Sequence, residues 1–279
     1  MQNHNTSFTL VSVYACCVLT KVHEFQVEVK CLGKHSHPNL VKFLGYCCEV
    51  KKSLLVFEYL HQGTLDHHIH GKKELLPWAT RVKIAIGTAQ GLAFIHSINN
   101  SSVYFELRMH NIMLDENPKN VFTDNHALIP KFGSHKEYNS KLFYIETNKK
   151  CLENQWTLGR GLKYMSPECV MSGWFEMDTD VFAFGVILLE LFTGSKDGDL
   201  LTHLIASKEE ARKLKNKGLD VIRTRPFSFT EIIDPRLEKD YRVNVAMQMS
   251  ALIQRCTEDK HTRPSMQQVL DVLNHIAKI

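Results

Sequence analysis

The fold of this chain is decided by residues 103–115, which read Val-Tyr-Phe-Glu-Leu-Arg-Met-His-Asn-Ile-Met-Leu-Asp. Polar and charged side chains are followed at once by the apolar run Ile112–Leu114, a pattern typical of a loop that enters a strand. Glu106, Arg108 and Asn111 bring a carboxylate, a guanidinium and an amide into this loop within six residues. The stretch therefore predicts a site on a loop, with Glu106, Arg108 and Asn111 as candidate catalytic residues.

Strands are predicted in the first sixty residues of the chain. Residues 40–46 and 53–60 are rich in apolar and aromatic side chains and are joined by a charged turn, which indicates two neighbouring strands. Residues 23–34 carry apolar side chains on one face and are predicted as a helix that precedes them.

Three long helices are predicted after residue 60, over residues 77–96, 179–192 and 264–276. The second is apolar on nearly every side, which indicates a helix buried on every side. Asp178 or Thr179 is predicted to cap its N-terminus and Gly194 to close its C-terminus. Strands first and helices afterwards predict an α+β protein with a small sheet lobe and a large helical lobe.

Composition and charge exclude several classes of function. Of the 279 residues, 44% are hydrophobic and 23% are charged, which is ordinary for a globular protein. The net charge of +4 is too small and too scattered to predict nucleic-acid binding. The eight cysteines include adjacent pairs, which make poor disulfides, and they show no C-x-x-C spacing. We therefore predict a cytoplasmic protein without a nucleic-acid partner.

The apolar run at residues 8–19 is too short to span a bilayer, so no transmembrane segment is predicted. No Lys or Arg precedes the run and no small-residue cleavage site follows it, which argues against a signal peptide. We interpret it as one or two buried strands. Acylation of Cys16 or Cys17 is the alternative left open, and it would give peripheral association with the inner face of the plasma membrane.

Motifs along the chain resemble those of protein kinases, in particular those of the plant receptor-like cytoplasmic kinases. Residues 103–115 have the frame of the kinase catalytic loop, H-R-D-L-x-x-x-N followed by an apolar strand. Around it, in the family's order, stand Glu-Phe-x-x-Glu-Val at 24–29, His-Pro-Asn-Leu-Val at 37–41, Asp-Asn-His at 124–126, Ser-Pro-Glu at 166–168, Asp-Val-x-x-Phe-Gly at 180–185 and Arg-Pro-Ser-Met at 263–266.

The resemblance implies a protein-kinase-like bilobal fold with a truncated small sheet lobe and a mainly helical large lobe. Residues 1–60 would form the small lobe, with the αC helix and the fourth and fifth kinase strands. Residues 61–279 would form the helical lobe.

The resemblance also implies nucleotide-binding roles. Phe57 would be the gatekeeper, and the backbone of Glu58 and Leu60 would face adenine. Glu28 would be the αC carboxylate that pairs with the kinase lysine. Asn111 and Asp124 match the two protein ligands of magnesium.

Glu106 stands where the family has its catalytic Asp. One extra methylene moves the carboxylate by about an ångström, and a misplacement of that size can cost about 100-fold in rate. Arg108 replaces the lysine that usually helps at the γ-phosphate. Phe105 replaces the arginine that would pair with a phosphorylated activation loop.

Two scaffold features are implied as well. Glu168 and Arg263 would form a buried ion pair that ties the activation segment to the lower lobe. Asp180 would accept hydrogen bonds from the catalytic-loop backbone and hold that loop in shape.

Three parts of a kinase nucleotide site are missing from the sequence. No Gly-rich loop can precede the αC-like helix, because the first glycine of the chain is Gly33. The V-A-I-K motif is absent, and Lys21 stands only seven residues ahead of Glu28, too near for a strand and a connecting loop between them. The Phe and Gly of D-F-G are replaced by Asn125 and His126.

These losses predict a pseudokinase, a catalytically impaired kinase-fold module that meets protein partners in a signalling complex. Binding of ATP and Mg²⁺ is then weak or lost. The alternative is an active ATP-dependent serine/threonine protein kinase with Glu106 as its base. A third hypothesis is a truncated gene product with an incompletely folded first lobe.

Overall fold

The structure is a computed structural model that describes residues 11–16, 36–48, 53–60, 62–71, 75–98, 107–114, 120–122, 162–172, 176–196, 229–238 and 240–279. The helix predicted over residues 23–34 lies outside these ranges. So do three of the predicted site residues, Glu28, Glu106 and Asp124.

A three-stranded antiparallel sheet comes first in the chain. It contains β1 (Val11–Cys16), β2 (Phe43–Cys48) and β3 (Ser53–Glu58), and β3 lies in the middle. β3 reads Ser-Leu-Leu-Val-Phe-Glu, and apolar, branched and aromatic side chains of this kind suit a strand with neighbours on both sides. The predicted strands are confirmed, although β2 begins and ends later than residues 40–46.

A second, two-stranded antiparallel sheet follows the catalytic-loop frame. It pairs β4 (Ile112–Leu114) with β5 (Asn120–Phe122). A 3-10 turn, Met109–Asn111, leads directly into β4. The Leu114 N–H donates to the Gly63 carbonyl at 3.0 Å, which fixes β4 beside the start of the earlier helix Leu65–His70.

The rest of the described chain is helical. The helices are α1 (Leu65–His70), α2 (Trp78–Ile98), α3 (Pro167–Ser172), α4 (Met177–Thr193), α5 (Phe229–Ile232), α6 (Val243–Cys256) and α7 (Met266–Ile276). Within the described ranges, no helix combines the length and the apolar character that crossing a bilayer requires.

α4 is the central post of the helical lobe, as its sequence predicts. Each of its residues from Thr179 to Thr193 is buried. Gly185 lets α6 approach closely, because a Cβ at this position would lie 2.7 Å from the Cβ of Cys256. Real Cβ atoms do not come this close, so a side chain here would push the two helices apart.

The ends of α4 confirm one predicted cap and correct the other. Gly194 closes the helix in the left-handed conformation, at φ 66°. The N-cap is Glu176 rather than Asp178 or Thr179, so that prediction was wrong by two or three residues. The reason is that the Thr179 hydroxyl accepts a hydrogen bond from the Glu176 N–H at 3.2 Å, and this bond starts the helix earlier.

A buried ionic network joins α2, the end of α4 and the segment after α5. The Arg81 side chain is 0% exposed, and its Nη2 donates to Asp234 Oδ2 at 2.7 Å. Its Nη1 donates to the Leu191 carbonyl at 2.7 Å. Arg236 also donates to Asp234 Oδ2 at 2.7 Å and to the Ile69 carbonyl at 2.9 Å. Asp234 and the two arginines together therefore link α1, α2, the end of α4 and the segment after α5.

Candidate functional site

The end of β3 is the predicted adenine-binding strand. Phe57 is 2% exposed and packs edge-on against the Phe43 ring, with 5.4 Å between centroids. Glu58 donates its N–H to the Lys42 carbonyl at 3.0 Å, and its Oε1 accepts the Lys42 N–H at 2.8 Å. Leu60 is buried. The strand end is thus firmly placed, and the adenine contacts of Glu58 and Leu60 stay a prediction.

β1 pairs with β3 on the side opposite β2, and its sequence carries a pattern that the sequence prediction missed. Its first four residues read Val-Ser-Val-Tyr, and Tyr14 pairs with Leu55 of β3 in the antiparallel register. Tyr14 lies fourteen residues before Glu28, which leaves room for a connecting loop. Lys21 stands after β1 in the sequence, so it does not lie on this strand. The Val-x-Val alternation was the available signal.

The catalytic-loop frame is described from Leu107 onward. Asn111 is buried, and its N–H donates to the Arg108 carbonyl at 3.0 Å within the 3-10 turn. Arg108 is half-buried. The structure therefore brings two predicted site residues onto one turn. Glu106, the predicted base, and Asp124, the second predicted magnesium ligand, fall outside the described residues.

A carboxylate on α4 ties the segment before α3 to the central post. The Tyr164 hydroxyl donates to Glu190 Oε2 at 2.6 Å, and the Lys163 ammonium pairs with Glu190 Oε1. Burial raises the pKa of Glu190, and burial beside this carboxylate raises the pKa of Tyr164 above its ordinary range. The Met109 backbone also hydrogen-bonds Tyr164, so the cluster reaches the catalytic turn.

The predicted ion pair between Glu168 and Arg263 is confirmed, but it is buried on the Arg263 side only, because the Glu168 side chain is 31% exposed. Arg263 Nη2 donates to Glu168 Oε2 at 3.0 Å, and Nη1 pairs with the other oxygen. The guanidinium also donates to the Glu258 carbonyl at 2.7 Å and to the Asp178 carbonyl at 3.2 Å. Burial opposes ionisation, but the hydrogen bond from Arg263 holds the pKa of Glu168 below its ordinary value.

Asp180, near the start of α4, is buried and pairs with His96 of α2. His96 Nε2 lies 3.0 Å from Asp180 Oδ2. The contact ties the C-terminal part of α2 to the post. Residues 103–106 of the catalytic loop fall outside the described ranges, and the predicted bonds from Asp180 to the backbone of that loop stay a prediction.

A family model described as protein tyrosine and serine/threonine kinase matches residues 13–273.

The chain belongs to this kinase family.

Three similar proteins indicate which kinases within the family the chain resembles. The inactive serine/threonine-protein kinases BKN1 and BKN2 of Arabidopsis thaliana are each 48% identical to the chain, over 96% and 92% of it and over 74% and 70% of their own lengths. An EPD1-interacting receptor-like cytoplasmic serine/threonine-protein kinase, 5D of Gossypium barbadense, is 35% identical over 90% of the chain and half of its own length. These similarities confirm the predicted kinase fold and group. The names of the first two support the pseudokinase prediction.

In a kinase, the strand beside the adenine strand carries the V-A-I-K lysine that holds the α- and β-phosphates. β1 is the described strand in this place, and its Val-Ser-Val-Tyr puts Tyr14 at the lysine position. A phenol is uncharged at neutral pH and cannot replace an ammonium beside a triphosphate. The described residues therefore fit ATP only in part. They include the turn that carries Asn111, but β1 has no lysine to bind the ATP phosphates.

Proposed function

We propose that this kinase-family chain is a pseudokinase whose folded surface meets protein partners in a signalling complex. The observation that carries the proposal is the pairing of β1 with β3, which sets Tyr14 in the place of the phosphate-binding lysine. Residues 1–60 would form its small lobe and residues 61–279 its helical lobe.

Loss of the lysine also affects the other predicted nucleotide contacts. Glu28 would have no cationic partner, so the αC-like helix would lose the ion pair that aligns a working kinase. Glu58 and Leu60 would still offer backbone groups to adenine, and Asn111 and Asp124 would still offer oxygen ligands to Mg²⁺. Binding of ATP and Mg²⁺ would then rest on these contacts alone and would be weak.

The helical lobe supports a role as an interaction module, because its internal bonds hold it together without nucleotide. Arg263 and Glu190 each bind two or more groups from other segments. Both anchor the chain next to α3, the region where the family receives its substrates. A fixed surface here suits stable contact with a protein. We propose that this contact takes place in the cytoplasm, including at the inner face of the plasma membrane.

Thermal unfolding of the full chain with and without Mg-ATP tests the proposal. We expect 5 mM Mg-ATP to raise the midpoint by less than about 1 °C, because the triphosphate lacks its cation. A kinase with ligand at 100 times Kd would gain about 2.7 kcal/mol, which corresponds to roughly 5–10 °C for a chain of this size.

The Asp124→Ala variant makes this measurement specific, and Asp240→Ala is the matched control, because Asp240 is an exposed aspartate outside the site. A shift of several degrees in the chain and in Asp240→Ala, but not in Asp124→Ala, would show a working nucleotide site and favour the active-kinase alternative.

A further inference from the structure

An open cavity of about 430 Å³, lined by none of the predicted nucleotide-site residues, lies where three parts of the chain meet. Its walls come from the turn at residues 37–39, from the C-terminal half of α2 and from α7. The volume is within the range of small-molecule sites, which is about 300–1,000 Å³.

The wall of the cavity has an aromatic and apolar part. The His37 ring stacks on the Phe94 ring, with centroids 4.8 Å apart and an interplanar angle of 23°. Ala93 and Leu270 extend this surface from α2 and α7. A flat ring could pack against it and gain both apolar burial and aromatic contact.

The polar part of the wall contains no ionised group. Gln90 and Gln267 bring carboxamides, and Gln267 donates its amide to Asp271 at 3.0 Å, which leaves its oxygen as an acceptor. His37 Nδ1 accepts the Asn39 N–H at 3.1 Å, so the neutral ring carries its proton on Nε2 as a donor. Burial lowers the pKa of His37, which keeps the ring uncharged at neutral pH.

We propose that this cavity binds an uncharged small molecule that combines an aromatic ring with an amide or hydroxyl group. The ring would lie on the surface of Phe94 and Leu270. The polar group would exchange hydrogen bonds with the two glutamines and His37. A charged ligand would lose part of its hydration against this wall without gaining a counter-ion from it, so neutral ligands are preferred. The site does not depend on nucleotide binding.

Three probes of the same shape test the charge preference: benzamide, benzoate and benzamidinium, titrated into the full chain with the Leu270 methyl groups observed by NMR. We expect benzamide to bind with a Kd on the order of 1–10 mM, as a ligand of nine heavy atoms should. We expect benzoate and benzamidinium to bind at least tenfold more weakly.

Two variants locate the binding. Ala93→Phe fills the cavity and should weaken benzamide at least tenfold, whereas Ala251→Phe, at an exposed alanine of α6, should leave it unchanged. Gln90→Glu adds a carboxylate without changing the size of the side chain, so it should raise the affinity for benzamidinium at least threefold. This variant tests the proposal also in the case that Ala93→Phe folds poorly. Equal binding of the three probes, or Gln90→Glu without effect on benzamidinium, would overturn the proposal. An Ala93→Phe variant that folds normally and binds benzamide as tightly as the unmodified chain would also overturn the proposal.

Discussion

Asp234→Ala is expected to lower the free energy of unfolding by about 3–5 kcal/mol, the largest loss that we expect from a single change in this chain. The Arg81 guanidinium is 0% exposed and donates to Asp234 at 2.7 Å, so removal of the carboxylate leaves a buried cation without its counter-ion. Arg236 loses its partner at the same time. Urea unfolding of the full chain measures the change.

Asp240→Ala is the control, because Asp240 is an exposed aspartate six residues further on and should cost less than about 0.5 kcal/mol. The double variant Arg81→Leu, Asp234→Leu should recover part of the loss, since it removes both charges from the interior. Equal stability of Asp234→Ala and Asp240→Ala would contradict the role given to this network.

Acid should weaken the same network in the unmodified chain. Burial alone would raise the pKa of Asp234, but hydrogen bonds from Arg236 and Arg81 outweigh it and lower that pKa from 3.8 to about 2. A depressed carboxyl pKa stabilises the fold above the unfolded value near 4, and this stabilisation is lost as the pH falls towards 2. About 2 kcal/mol should therefore disappear between pH 5 and pH 2, and this part should be absent from Asp234→Ala.

The second large effect is expected from Arg263→Ala, at about 2–4 kcal/mol. The Arg263 side chain is 2% exposed, and it donates hydrogen bonds to Glu168 and to two backbone carbonyls at once. Glu168 is 31% exposed, so water replaces part of the lost contact and the cost stays below that of Asp234→Ala. Hydrogen exchange at residues 164–172 should accelerate, because α3 loses its tie to the segment before α7.

Arg255→Ala provides the matched comparison, because Arg255 is an exposed arginine of α6. It should change stability by less than about 0.5 kcal/mol and leave exchange at residues 164–172 as it is. If Arg263→Ala and Arg255→Ala exchange at the same rate there, the tie between Glu168 and Arg263 does not hold α3.

Elements whose sequence pattern lies within a few neighbouring residues could be predicted from the sequence. The all-round apolar character of α4 predicts its burial, and Gly194 marks its end because a left-handed residue is required there. The catalytic-loop frame predicts a polar turn that enters a strand, and the structure has one at Met109–Asn111. In each case the information lies within a few residues of the chain.

Contacts between distant residues could not be predicted in this way. Arg81 and Asp234 are 153 positions apart, and neither belongs to a motif that announces the other. Glu190 sits among apolar residues of α4, and its partners Lys163 and Tyr164 become apparent only when the segments pack together. Tyr14 takes the last place of a Val-x-Val-x pattern that lacks the lysine of the kinase motif, and the pairing of β1 with β3 shows that this strand lies beside the predicted adenine-binding strand.

Transfer of radiolabelled phosphate from ATP measures whether the chain is a pseudokinase or a working kinase. The full chain would be incubated with Mg-ATP and a general protein substrate, next to its Glu106→Gln variant. We expect no incorporation above background by either protein. Incorporation at an ordinary kinase turnover, about 1–100 per second, that disappears in Glu106→Gln would contradict it.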